Sequence, residues 1–193
     1  MELHRLGVKW LAEESAPLNL LDLIPVFHRW IQDHTLDNLL IDVAEYTHMH
    51  HGPGVLIIAH EGNYGYDETH GERGLVYYSK QPLPETDLAA RMAVVARKGL
   101  EACVCFSREA NLGAQVTFPC NRLEIFANDR LQTPNTDAAW EAFAQAAQTL
   151  AVRLFPDQAC KIERRSNDPR ERLAAIIRTE QATGPEALVA RLD

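Results

Sequence analysis

Four of the eight histidines lie in one stretch of the chain, residues 42–64, and these are His48, His50, His51 and His60. Zinc and similar divalent metals bind neutral imidazole and carboxylate groups, and a site with three protein ligands leaves a position open for water. The metal acidifies that water, and a neighbouring glutamate can accept its proton. The residue types therefore predict a divalent-metal site, such as a zinc site, with Glu61 as the catalytic base of a hydrolase-type reaction. The predicted metal ligands are His48, His50 and His60.

Two apolar, β-prone runs surround the Gly52-Pro53-Gly54 cluster in this stretch. Val, Ile and Tyr alternating with polar residues on both sides of a Gly/Pro cluster are typical of a β-hairpin. The pattern predicts strands near 39–49 and 55–61. The predicted metal site therefore lies near the end of a hairpin.

The register of this hairpin decides which side chains meet His48, because successive side chains on a strand point to opposite faces. If residues 51–54 form the loop, Glu61 joins the face that carries His48. A loop changed by one residue pairs Tyr46 with His60 instead, and His60 then comes within reach of the same ion. The sequence leaves both registers open.

Two other interpretations of the histidines also stay open. In the first, the histidines are solvated or structural side chains. In the second, His48 or His60 serves in acid–base chemistry without a metal. The H-x-H spacing is common by chance, and the helical H-E-x-x-H pattern is absent from the sequence. Whether the chain is an enzyme is therefore open at this point.

The rest of the chain alternates short extended runs with two long amphipathic segments. Asp87 is the predicted N-cap of a helix that runs to about Phe106. Thr136 is the predicted N-cap of a second helix, which Pro156 ends. Residues 62–71 are predicted to form a loop. The pattern predicts an α+β fold, a largely antiparallel β-sheet with two long helices packed on one face.

The length of 193 residues fits one domain. We expect a single α+β domain over 1–183, followed by a short amphipathic tail over 184–193. A tail of this length is not stable alone, so it docks on its own domain or on a neighbouring subunit of a homo-oligomer.

Composition narrows the choice of partner. The formal net charge of −8 disfavours nucleic acid, because phosphate binding needs clustered Lys and Arg. No apolar run approaches the roughly 20 residues that a membrane helix needs. The N-terminus does not resemble a signal peptide, and the four cysteines include no C-x-x-C pair. We expect a cytoplasmic protein with free thiols and no membrane partner.

Three segments carry a resemblance to a known group of proteins: IPVFHRWIQ, HHGPGVLIIAHEGNY and NDRLQTPNT. Together they resemble a group of bacterial proteins of about this length that have no assigned function. The resemblance implies a bacterial, cytosolic protein. It transfers no catalytic residue to this sequence.

These observations lead to two expectations of function. The first is a small cytosolic protein that binds a metal or a small molecule through the histidine-rich hairpin, with metal-dependent hydrolase chemistry as its extension. The second is a non-catalytic assembly or accessory protein that self-associates through its tail. They differ in whether the polar residues of the hairpin form a binding site.

Overall fold

A large antiparallel β-sheet forms the centre of the protein in the computed structural model, which describes residues 3–49 and 52–193. Its strands are β1 (Leu6–Leu11), β3 (Leu40–Glu45), β4 (Val55–Ala59), β5 (Gly62–Asp67), β6 (Gly74–Ser79), β8 (Arg122–Ala127), β9 (Lys161–Arg164) and β10 (Ala174–Arg178). Their spatial order is β3-β4-β5-β6-β1-β8-β10-β9, with all neighbours antiparallel. Two short strands, β2 (Glu13–Glu14) and β7 (Val116–Thr117), pair separately.

Four α-helices accompany the sheet in the described chain. They are α1 (Leu23–Gln32), α2 (Leu88–Ser107), α3 (Asp137–Leu154) and α4 (Pro185–Leu192), with single 3-10 turns at Leu20–Asp22 and Thr69–Gly71. The predicted caps of the two long helices are confirmed, since Asp87 accepts from the Ala90 N–H at 3.0 Å and Thr136 from the Ala139 N–H at 3.3 Å. The α+β class and the two long helices are therefore as the sequence predicts.

The core lies between the sheet and the helices. Val8 and Trp10 of β1 are fully buried beneath α2. The approach is close because α2 has a glycine there: a Cβ at Gly99 would lie 2.8 Å from Val8 Cγ1 and 2.9 Å from Trp10 Cδ1. The Trp10 indole N–H donates to the Ala96 carbonyl at 3.3 Å, so its polar atom is satisfied within the core.

The opposite face of the sheet carries a more polar layer with a small apolar cluster. The ring of Phe126 lies directly over Gly7, where a Cβ would be 2.2 Å from the ring. Leu56 lies over Gly65 in the same way. Charged side chains such as Lys9 are buried among these apolar groups, which makes ion pairing on this face necessary.

One element differs from the sequence-based prediction. Residues 62–67 form the buried strand β5 and not the start of a loop, with Tyr66 opposite Leu75 of β6. Both Gly62 and Gly65 lie in the predicted loop, but a Cβ at Gly62 would collide with the Tyr78 carbonyl oxygen and a Cβ at Gly65 would collide with Leu56. These glycines therefore mark close approach of neighbouring chain segments within a sheet.

Candidate functional site

The hairpin that carries the predicted metal ligands has a register that differs from both predicted ones. Glu45 pairs with Val55, and the Tyr46 N–H donates to the Gly54 carbonyl at 2.8 Å. Strand β3 ends early because a turn starts before the Gly-Pro-Gly cluster, with the Met49 N–H donating to the Tyr46 carbonyl at 3.0 Å. Both predicted registers are wrong, because the connection between the strands is longer than the cluster alone.

His48 and His60 consequently lie towards opposite ends of the hairpin. The His60 N–H donates to the Leu39 carbonyl at 2.9 Å, at one end of the strand pair. The hydrogen bond between Tyr46 and Gly54 lies at the other end, six residues away along the chain. At about 3.3 Å per residue, these two hydrogen bonds are about 20 Å apart. Both histidines are exposed, and His50 is outside the described residues.

Within the described ranges, no group of three His, Cys, Asp or Glu side chains is placed to hold a metal ion. One ion cannot be shared by His48 and His60 in this arrangement, since zinc–nitrogen distances are about 2.0–2.1 Å. The geometry separates His48 from His60, and His50 lies outside the described residues; metal binding by the predicted ligands His48, His50 and His60, other than by one ion shared between His48 and His60, stays a prediction.

Glu61 lies in the exposed turn between β4 and β5. Its carbonyl accepts from the Lys80 N–H at 2.8 Å, which ties the turn to the end of β6. The pKa of Tyr77 is raised mainly by burial and further by the charges of Glu61 and Glu101. Glu61 therefore lies at the opposite end of the hairpin from the turn that contains His48.

A groove with an apolar floor includes Glu101 in its lining. It has a volume of about 500 Å³ and runs between the α1–β3 connection, α2 and α4. We call it the α2–α4 groove; its lining residues are Thr35, Leu36, Asp37, Glu101, Val104, Cys105, Glu186, Val189, Ala190 and Asp193.

Two helical stripes face each other across this groove. The α2 stripe is Glu101, Val104 and Cys105, at positions i, i+3 and i+4. The α4 stripe is Glu186, Val189, Ala190 and Asp193, at i, i+3, i+4 and i+7. Residues at these spacings share one side of a helix, so each stripe offers small apolar side chains next to carboxylates.

Helix α4 is held firmly in this position. Its Leu188 and Leu192 side chains are buried against the rest of the chain. Arg153 of α3 donates to the Leu192 carbonyl at 2.9 Å, and Arg191 donates to the Leu154 carbonyl at 2.5 Å. The apolar side of α4 is therefore occupied within its own chain.

The groove contains one thiol, that of the half-buried Cys105. Burial raises the pKa of the Cys105 thiol above its ordinary value. The thiol is therefore protonated near neutral pH and is a poor nucleophile. In the groove the thiol contributes a small apolar surface. It reacts slowly with thiol reagents, and the rate of that reaction measures how accessible Cys105 is in the groove.

The groove residues were not singled out by sequence reasoning. The spacing of the two stripes is visible in the sequence, but both resemble ordinary amphipathic helix surfaces. Nothing local indicates that α2 and α4 face each other, since that contact depends on the docking of α4.

Comparisons with known proteins add no further identification. No family model matches the chain, and neither the curated proteins nor the solved structures gave a match. This result agrees with a resemblance to a group without assigned function.

Proposed function

We propose that the chain is a small-molecule-binding protein and that its site is the α2–α4 groove. The observation that carries the proposal is a cavity of about 500 Å³ with an apolar floor and a few polar groups at its rim. Ligand sites commonly have volumes of about 300–1,000 Å³ and this kind of lining. The proposal keeps the small-molecule part of the sequence-based expectation and moves the site away from the histidine hairpin.

A second cavity of about 520 Å³, beside Arg29 and Glu109, is a weaker candidate. The Glu109 carboxylate there accepts from the Trp30 indole N–H at 2.7 Å and pairs with Arg29. A polar ligand would have to compete with these internal contacts. The floor of the α2–α4 groove has few polar groups to satisfy, so an apolar ligand displaces only water.

The test uses 1-octanol as a neutral apolar ligand, with binding followed by two-dimensional NMR. Ala190→Trp places a large ring in the groove. Ala187→Trp is the matched control, since Ala187 is exposed on the same helix and does not line the groove. We expect 1-octanol to shift signals of the α2 and α4 stripes in the wild type and in Ala187→Trp, and to leave Ala190→Trp unchanged.

A chemical readout checks the same site independently. In a Cys160→Ser background, the remaining partly exposed thiol is Cys105, because Cys103 and Cys120 are fully buried. Bound octanol should slow the reaction of Cys105 with a thiol reagent. Equal rates with and without octanol, together with unshifted NMR signals, would contradict the proposed function.

Self-association is a second candidate function, and exposed apolar residues on an edge strand favour it. Among the described residues, the exposed large hydrophobic side chains include four on or beside β3: Leu39, Ile41, Tyr46 and Met49. Strand β3 is an edge of the sheet, and an exposed apolar edge can pair with a second copy. One edge donor is already used, because the Val43 N–H donates to the Asp42 carboxylate at 2.8 Å.

Light scattering after size exclusion tests this second candidate. Ile41→Lys would separate a dimer formed through β3, because a charge would enter the apolar contact. Val152→Lys is the matched control, since Ile41 and Val152 are both 56% exposed and Val152 lies on α3. A monomeric wild type, or equal behaviour of the two variants, would exclude β3 as the interface.

A further inference from the structure

The α2–α4 groove has a marked charge imbalance. Four carboxylates are among its lining residues, and no Lys or Arg is among them. They are Asp37, Glu101, Glu186 and Asp193. From this lining we propose that the ligand is a cationic amphiphile, a protonated organic amine joined to an apolar alkyl or aryl body. The inference rests on the proposed function, and it adds the chemical class of the ligand.

Three of the four carboxylates already have a cation beside them. Arg97 pairs with Glu101 at 2.9 Å and with Asp193 at 2.7 Å. The Lys98 ammonium lies 3.7 Å from the Asp37 carboxylate. Neither Arg97 nor Lys98 is among the residues that line the groove.

Glu186 is the carboxylate that remains for a ligand. It has no ion pair with another side chain of the described chain. Glu186 is exposed and lines the α4 side of the groove, next to Val189 and Ala190 on the same side of the helix. An ammonium group at the α4 side of the groove would give Glu186 the ionic partner that the described part of the chain does not supply.

The arrangement suits an organic cation better than a metal ion. A divalent metal needs several oxygen ligands converging at about 2–2.6 Å. The rim carboxylates do not converge in this way, since no group of three acidic, His or Cys side chains is placed for a metal in the described ranges. Carboxylates spread around an apolar floor match a ligand with one charge and an apolar body.

The test compares three ligands with the same eight-carbon chain: octylamine, which is protonated at neutral pH, 1-octanol and sodium octanoate. Dissociation constants come from NMR titration below the micelle concentration of each ligand. Exposed ion pairs contribute up to about 1 kcal/mol, which corresponds to about a fivefold change in affinity. We expect octylamine to bind up to about fivefold more tightly than 1-octanol, and octanoate to bind least tightly.

Glu186→Gln removes the unpaired charge and keeps the shape of the side chain. It should bring the affinity for octylamine close to that for 1-octanol, with the affinity for 1-octanol unchanged. Glu141→Gln is the control, since Glu141 is an exposed carboxylate of α3 that does not line the groove. Added sodium chloride should weaken octylamine binding and leave 1-octanol binding unchanged.

The possible outcomes separate the two proposals. Tightest binding of octylamine that depends on Glu186 supports the cationic class. Equal binding of the three ligands, or tightest binding of octanoate, overturns the cationic class and leaves the proposed function in place. Failure of all three ligands to bind overturns the proposed function, and the ligand class with it.

Discussion

Lys9 provides the sharpest test of the polar layer on the face of the sheet opposite α2. Its side chain is 5% exposed, and that of its partner Asp67 is 10% exposed. The ammonium contacts Asp67 Oδ1 and the carbonyl oxygens of Thr69 and Glu72. Asp67 Oδ1 is buried, and among described residues the Lys9 ammonium is the group that compensates its charge.

Lys9→Met keeps the length of the apolar stem and removes the charge. It leaves the buried Asp67 carboxylate without its counter-charge, with one remaining hydrogen bond, from the Thr69 hydroxyl at 3.0 Å, and it removes one donor each from the Thr69 and Glu72 carbonyls. Breaking a buried ion pair from one side typically costs about 3–5 kcal/mol, and we expect a loss of stability in this range. In the double variant Lys9→Met/Asp67→Asn the buried charge is gone, so the remaining loss should fall to about 1–2 kcal/mol.

Urea unfolding at pH 7 measures both values, provided that the slope of the transition is unchanged. Asp67→Asn alone completes the double-mutant cycle. Lys161→Met is the control, because the Lys161 side chain is 71% exposed, and it should change stability by less than about 0.5 kcal/mol. A loss below about 1 kcal/mol for Lys9→Met, or a double variant no more stable than the single one, would refute this account of the pair.

Two further predictions concern the same face of the sheet. Burial acts to raise the pKa of Glu72, but hydrogen bonds from Arg165 and Arg122 outweigh it and leave that pKa below its usual value. Because the folded-state pKa is the lower one, the stabilisation is present above about pH 4.3 and is lost as the pH falls through the folded-state value. Urea midpoints measured between pH 3 and pH 7 should therefore fall less steeply with acid in Glu72→Gln than in the wild type, and parallel curves would contradict the assignment. Gly7→Ala should lower the free energy of unfolding, measured in urea, by about 1–3 kcal/mol, because its Cβ would lie 2.2 Å from the Phe126 ring. Gly184→Ala is the control and should be nearly neutral, since the nearest atom to its Cβ would be 4.0 Å away.

The features that the sequence predicted correctly depend on local chemistry. Asp87 and Thr136 are N-caps because a short side-chain oxygen can reach a backbone N–H three residues ahead, whatever the rest of the chain does. The spacing of apolar residues in α3 likewise predicts a helix with one buried side. Caps and periodicity were sufficient to predict the α+β class.

The features that the sequence predicted wrongly depend on contacts between distant segments. Gly62 and Gly65 have the composition of a loop, but neighbouring strands need the space that a side chain would take. The hairpin register depends on where the turn after β3 begins, and a turn at Tyr46 excludes both registers that the Gly-Pro-Gly cluster suggested. Each error therefore came from treating glycine as a sign of a turn, when here it also marks close packing.

The α2–α4 groove shows why a binding site can be harder to predict than a fold. Each of its two stripes follows the helical spacing that amphipathic surfaces share, so neither is distinctive alone. They face each other because Leu188 and Leu192 bury the other side of α4 in its own chain. The same docking directs Glu186 and Ala190 to the groove. A change that loosens α4, such as Leu188→Ala, should therefore weaken ligand binding without altering any groove residue, whereas unchanged binding in that variant would show that α2 alone forms the site.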